Sequence, residues 1–373
     1  MEIRKPKKSQ GVPKQKRSGT LLQEIKDTFI RPYGSKYLKD LNNSIENSGF
    51  WDASLSEQMV ILSRLFFDSV DDPKHLLKIL KNSDSEHLKG CAPSIVYLLY
   101  SNNPGKCCTE LRSVGKLNGT WPQEDAQIML SQLTIKHGVD SILSITESWL
   151  NDPDDRVRRL LVEGFRPRGV WKEHIKELKN DPTPLKPILK KAIGDDSLYV
   201  RKAAANNIND ISKDNPDIVI SWTKTWLKRS NKKQKWSIKQ GLRGLLRDNN
   251  KDALALLGFN QTDSLQVNWK GKLDKTVKIN TIIPLRFSVR NSGDSALNLK
   301  IQMLLTAPGK GNRLRTKTFI LATLTLKEKE SRIISKNFHF VDYNSTPRLP
   351  GKYTMMVSCN GNEIKKKSFI YSG

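Results

Sequence analysis

The hydrophobic period of this chain changes once, and that change limits what it can fold into. From about residue 20 to 258, apolar residues recur at i, i+3 and i+4, broken by short stretches carrying Asp, Asn, Pro or Gly. That spacing puts one apolar stripe on each of a series of helices. From about 274 to the end the period is 2, in LRFSVRNSG, LNLKIQMLL, TKTFILATLTL, RIISKNFHF and KYTMMVSCN, with Gly, Pro, Asn and Ser turns between them. Several short alternating segments in about 100 residues read as an antiparallel β-sandwich. The expected fold class is therefore α+β multidomain, an all-α region over 20–258 followed by a sandwich over 274–373. Residues 259–273 are expected to be the linker. A length of 373 residues suits two such domains.

Inside the helical half there is a repeat. Asn151-Asp-Pro-Asp-Asp-Arg-Val157-Arg158 returns 43 residues later as Gly194-Asp-Asp-Ser-Leu-Tyr-Val200-Arg201. In both copies an Asp stands five residues before a Val-Arg pair that opens a helix. The Asp is expected to cap that helix and the Arg to project from its first turns. A weaker copy runs from Asn82 to Lys89, and a fourth unit from Pro216 through Trp226 to Leu246. This period and signature fit HEAT-type helix pairs stacked into a solenoid.

Charge narrows the class of partner. With 64 Lys/Arg against 38 Asp/Glu the net charge is +26, which points to a polyanion and, among polyanions, to nucleic acid. The first 19 residues hold seven Lys/Arg against one Glu and read as a disordered basic tail. Lys224 to Arg247 holds nine Lys/Arg and no acid, so Lys232, Lys233, Lys235 and Arg243 are candidate phosphate contacts. Trp226 and Trp236, at helical spacing beside leucines, are expected in the core. From 260 to 373 there are 20 Lys/Arg against 7 acids, suiting the sandwich to a duplex as well.

Several chemistries are excluded on spacing. There is no GxxxxGK[ST] and no GxGxxG, and the five His are scattered. Cys91, Cys107, Cys108 and Cys359 form no CxxC and only Cys359 lies in the sandwich, so neither a zinc ribbon nor a disulfide framework is expected. That usage fits a reducing cytoplasm. No apolar run of about 18 residues and no signal-type apolar region follow the basic N-terminus. No cofactor or metal is implied.

The densest charged constellation is RRLLVEGFRPRGVW, residues 158–171. Gly164 and Pro167 end its helix, leaving Arg166, Arg168 and Trp171 on a loop. Arg159 and Glu163 are expected to form a salt bridge between repeats. One repeat later, Asp210 stands nine residues after Arg201 on the small-residue helix of VRKAAANNINDISKDNPD. Local pairing is the plain alternative for Asp210.

These two segments resemble the RRL-x-x-EG-x-RPR-x-x-W and VRRSVANHLNDISKDHPD motifs of AlkC-type DNA glycosylases, of the HEAT-like alkylpurine DNA glycosylase superfamily. ALALLGF near 253, FSVRNSGD and the late PGKY turn are similar to that family's appended immunoglobulin-like domain. The resemblance covers roughly 120–373. It implies a monomeric, monofunctional DNA glycosylase that binds duplex DNA and releases cationic N3-alkylated bases such as 3-methyladenine in base excision repair, in a bacterial nucleoid. Carried over by position, Asp210 matches the catalytic aspartate and Trp171 the active-site tryptophan. Arg158, Arg159, Arg166, Arg168 and Arg201 become phosphate or structural partners.

Two positions depart from the family pattern. The family's catalytic glutamate falls at Ile128, with Glu124 one helical turn earlier on the same face and Asp125 three residues back. Glu124 is the candidate second carboxylate, with Asp125 the other. In the loop before Pro350-Gly351, where the family shows Arg and Tyr, Arg348 is the remaining minor-groove candidate. The apolar Ile128 favours the alternative of a relative that binds damaged or distorted DNA without excision. A HEAT scaffold for an acidic protein is a third reading, and it predicts no DNA binding at low salt.

Overall fold

The computed structural model describes residues 14–373 apart from 54, 171, 272 and 343–346. Residues 1–13 of the expected basic tail lie outside the described residues, and the first helix already begins at Lys14. Helices follow in the order α1 (Lys14–Asn47), α2 (Leu55–Asp68), α3 (Pro73–Asn82), α4 (Glu86–Tyr100), α5 (Pro104–Val114), α6 (Thr120–His137), α7 (Val139–Thr146) and α8 (Asp155–Gly164). Then come α9 (Lys176–Asn180), α10 (Lys186–Ala192), α11 (Leu198–Ile211), α12 (Pro216–Leu227), α13 (Lys232–Gly241), α14 (Arg243–Arg247) and α15 (Lys251–Leu256). Among the described residues, seven strands follow: β1 (Leu265–Trp269), β2 (Thr281–Asn291), β3 (Leu297–Pro308), β4 (Leu314–Leu326), β5 (Ser331–Phe340), β6 (Gly351–Cys359) and β7 (Asn362–Tyr371). The expected fold class, helical repeats followed by an antiparallel sandwich, is what forms.

Two compact units emerge. Of the described residues, the first comprises 14–215 and 226–241, and the second 216–225 and 242–373. In the first, α4, α6, α8, α11 and α13 pack in succession. Small residues set how closely they approach. A Cβ on Gly164 of α8 would lie 2.5 Å from Leu130 Cδ2 of α6, and one on Gly241 would lie 2.7 Å from Ile208 Cγ2 of α11. Ala203, Ala204 and Ala205 of α11 are buried, and Asn207 Nδ2 donates to Val162 O of α8 at 2.9 Å. Leu130 is fully buried, and its Cγ and Cβ would also lie within 3.2 Å of the added methyl. Gly164→Ala should therefore cost about 1–3 kcal/mol through overpacking. A denaturant midpoint equal to wild type would contradict that.

The repeat signature works differently from the expectation. Asp152 and Asp195 do not cap their helices; Asp154 caps α8 by accepting from Arg156 N, and Ser197 caps α11 by accepting from Tyr199 N. Each earlier Asp instead receives an Arg from the preceding repeat. Arg112 pairs with Asp152, and Arg158 pairs with Asp195 through Nε at 2.8 Å and Nη2 at 3.0 Å. Each Val-Arg arginine also turns back on its own loop: Arg158 Nη1 donates to Asp152 O and Arg201 Nη1 to Asp195 O. The repeated motif is thus an inter-repeat ladder, and Arg158 is folded into it.

In the second unit, β1-β2-β5 and β4-β3-β6-β7 form two antiparallel sheets. Phe287, Met303, Phe340, Tyr353, Met355 and Phe369 fill the space between them. Tyr353 Oη closes the end of this core by donating to Leu349 O at 2.7 Å. The segment 259–273, expected to be linker, carries β1, which pairs with β2 from Leu265↔Asn291 to Trp269↔Phe287. The helices α14 and α15 belong to this unit: Lys300 Nζ donates to Leu246 O at 3.1 Å and Asn249 Nδ2 to Ser358 Oγ at 2.6 Å.

Candidate active site

A chain of alternating charges crosses three consecutive inner helices of the first unit. Arg159 of α8 donates from Nη2 to Glu124 Oε1 of α6 at 3.1 Å and lies 3.7 Å from Glu163 Oε1. Glu163 Oε2 accepts from Arg166 Nη1 at 2.7 Å. Arg166 reaches α11 and donates from Nε and Nη2 to Asp210 Oδ2 at 2.8 and 2.7 Å. Lys213 Nζ completes the set on Asp210 Oδ1 at 2.8 Å. The side chains of Glu163 and Asp210 are only 4% and 3% exposed, whereas Lys213 is 48% exposed. Two buried carboxylates therefore share one guanidinium, and the fork geometry of arginine suits that role.

The local sequence produces this arrangement. Helix α8 stops at Gly164, and Phe165 closes it with an N–H to Leu161 O. The turn that follows carries Arg166 across to α11 and Arg168 to Asp214, whose Oδ2 accepts from Arg168 Nε at 2.6 Å. The Arg168 guanidinium holds the Asp214 carboxyl below the usual range. Tyr199 of α11 lies under the Arg159 guanidinium, 4.1 Å from ring centroid to Cζ, and its Oη donates to Gln123 Oε1 at 2.7 Å.

Several sequence candidates meet in this cluster: Glu124, Arg159, Arg166 and Asp210. The Arg159–Glu163 pair forms, but within α8 and not between repeats; the link from Arg159 to the neighbouring helix is to Glu124. Trp171, the candidate cation-holding aromatic, lies outside the described residues. The spacing arguments missed Lys172, Lys213 and Tyr199. Lys213 had a signal in its i, i+3 spacing from Asp210. Lys172 had none, because its amine bonds to backbone: Nζ donates to Glu163 O at 2.8 Å and Gly164 O at 2.9 Å.

Asp125 goes elsewhere. It is buried between α4 and α6, where Ser94 Oγ donates to its Oδ2 at 2.8 Å, so it does not stand in for a carboxylate at 128. Burial pushes the Asp125 carboxyl up to about 7. In the folded state it therefore binds a proton that the unfolded chain has already released between about pH 4 and 7. Its contribution to stability falls as pH rises through that window. Asp125→Asn should flatten the decline, by on the order of 1–3 kcal/mol at pH 8, in thermal melts from pH 5 to 8. An unchanged pH profile would sink this reading.

Ile128 faces a cavity of about 730 Å³, lined also by Ser94, Tyr97, Leu98, Met129 and Lys172. The remaining basic candidates are dispersed. Lys232, Lys233 and Lys235 are exposed on α13, Lys233 Nζ lying 2.6 Å from Asp196 Oδ1, while Arg243 is exposed at the start of α14. Arg201 lies over Trp236, 5.9 Å from the ring centroid. Trp226 is buried and Trp236 half-buried. In the sandwich, Arg348 packs over Phe340 at 4.5 Å and donates from Nε to Val341 O at 3.1 Å. Among the described residues, no helix is long and apolar enough to cross a membrane.

Comparison with known proteins agrees with this architecture. Residues 271–372 match the family described as "Uncharacterised protein YhaZ, C-terminal Ig-like domain". The uncharacterized protein YhaZ of Bacillus subtilis (strain 168) is 32% identical over 219 residues, covering 58% of this chain and 60% of that protein. The match thus spans less than two thirds of that relative's length. The structure of Pseudomonas fluorescens alkylpurine DNA glycosylase AlkC, bound to DNA containing an abasic site analog, aligns at a TM-score of 0.80 and 22% identity, over 96% of this chain and 98% of that one. The chain therefore shares the overall fold of that AlkC structure, and its C-terminal residues 271–372 match the YhaZ-type immunoglobulin-like domain.

Proposed function

We propose that this protein is a DNA glycosylase that binds duplex DNA and hydrolyses the N-glycosidic bond of cationic N3-alkylated bases of the 3-methyladenine type. The observation that carries the reading is Asp210, a buried carboxylate fixed by Arg166 and Lys213 on an AlkC-like framework with a net charge of +26. A cationic base is already a good leaving group and needs no general acid. What remains is to stabilise the oxocarbenium sugar and to orient a water, and a fixed carboxylate does both. Arg166 and Lys213 position Asp210, and Glu163 in turn positions Arg166. The exposed Lys232, Lys235 and Arg243 supply phosphate attraction and a salt-dependent affinity.

A second reading, DNA binding without excision, rests on two facts. Both Asp210 oxygens are already engaged by cations, and the wall at Ile128 is apolar. The deciding experiment is chromatographic detection of free 3-methyladenine released from methylated duplex DNA by the full chain, beside a salt titration of binding to the same duplex. Release above the uncatalysed rate supports the glycosylase. Tight, salt-dependent binding with no release supports the binder.

A further inference from the structure

The reaction above leaves Lys172 unused, although it borders the cavity beside the cluster. We propose that its amine is a nucleophile for an aldehyde and forms a Schiff base with C1′ of the ring-opened abasic deoxyribose. This rests on the glycosylase reading, which makes such a sugar the product.

The amine is held in place by backbone and not by a counter-ion. Nζ is placed by two backbone acceptors, Glu163 O and Gly164 O, at 2.8 and 2.9 Å. Among the described residues, no carboxylate forms an ion pair with it. A neutral amine has two N–H groups and one lone pair; the two carbonyls take the N–H groups and leave the lone pair unclaimed. The residue borders the cavity of about 730 Å³ whose apolar wall includes Tyr97, Leu98, Ile128 and Met129. That volume accommodates a deoxyribose.

The surroundings act in the same direction. Burial pushes the Lys172 amine down to about 7, and Arg166 adds to this, while Glu163, Asp210 and Glu124 oppose it. Those three acids are already paired, with Arg166, Lys213 and Arg159. Glu173, Arg64 and His174 also border the cavity, and a glutamate at 128 would add one more anion to its wall where Ile128 adds none. Lysines desolvated in this way are the ones that form Schiff bases. The cavity also lies beside the reacting cluster, because the peptide oxygen that holds Nζ belongs to Glu163, whose side chain holds Arg166 on Asp210.

The step balances without a further reagent. The Nζ lone pair attacks the C1′ carbonyl carbon and the carbonyl π pair moves to oxygen. Proton transfer from nitrogen to oxygen gives a carbinolamine. Uptake of one proton from solvent then expels water and leaves the protonated imine.

The test uses the full chain and a duplex with a single abasic site, made independently of this protein, with borohydride to reduce the imine. The expected result is a stable protein–DNA adduct whose peptide map places the sugar remnant on Lys172. Lys172→Arg, whose guanidinium forms no imine, should lose roughly tenfold or more of it. Gly169→Ala is a second variant that keeps the lysine: a Cβ there would lie 1.8 Å from Lys172 Cε, so the amine must move and the adduct yield should fall. Absence of an adduct with wild type, or a remnant mapped to another lysine, overturns the proposal even if the variants do not fold. Base release from methylated duplex, measured in parallel, separates the two ideas. Release without an adduct removes Lys172 chemistry and leaves the glycosylase, whereas an adduct without release does the reverse.

Discussion

Asp210→Asn should lower release of 3-methyladenine from methylated duplex by roughly 10²–10³-fold, with little change in DNA affinity. The substitution keeps the volume and one carbonyl oxygen of Asp210, so α11 and its contacts remain. It removes the negative charge that, in the proposed reaction, stabilises the developing sugar cation. It also replaces one acceptor of Arg166 or Lys213 with an amide N–H, so a modest loss of stability accompanies it. The informative comparison is single-turnover release against binding at matched salt. If release and affinity fell together, Asp210 would be a structural member of the ion-pair chain and not a catalytic residue. If release were unchanged, the reaction would have to be carried by another group.

Arg166→Ala should produce the largest loss of stability of any single change in the cluster, about 3–5 kcal/mol. Arg166 lies between Glu163 and Asp210, whose side chains are 4% and 3% exposed. Its removal leaves two buried acids, with Lys213 against one of them and Arg159 3.7 Å from the other. For a unit of this size that corresponds to a melting temperature lower by about 6–20 °C. Removing the acids as well should return part of the loss, because the cost arises from unpaired buried charge more than from the missing pair itself. A triple change of Glu163, Arg166 and Asp210 to apolar residues of similar size should therefore be less destabilising than Arg166→Ala alone. Chemical denaturation of the three proteins tests the order. A loss below about 1 kcal/mol for Arg166→Ala would mean that water reaches the cluster.

Much of the fold was legible because periodicity is a local property. The alternating segments became β2 to β6 nearly residue for residue. The two strands that escaped have identifiable reasons. In β7 the run Lys365-Lys366-Lys367 hides the alternation that ends in the buried Phe369 and Tyr371, and β1 is five residues long within a polar stretch. The site was legible in part. Glu163 with Arg159, and Asp210 on its small-residue helix, emerged from spacing and from the family motif. Lys172 did not, because a side chain that bonds to the carbonyls of residues eight and nine positions earlier leaves no pattern in its own neighbourhood.

The sequence by itself determined the order of elements, the helical repeat and its 43-residue period, the switch to a sandwich and the basic balance. These follow from which face of each helix or strand is apolar and from a count of charges, neither of which needs a third dimension. The partners of the charged side chains were decided by tertiary structure alone. Arg158 meets Asp195 across 37 positions and Arg166 meets Asp210 across 44, while Asp125 turns to Ser94 and its neighbour Glu124 to Arg159. Ion pairs and hydrogen bonds depend on approach to within about 3–4 Å. That approach is set by how closely α6, α8 and α11 stack on Gly164 and the alanines of α11, a distance that exists only once the helices are packed.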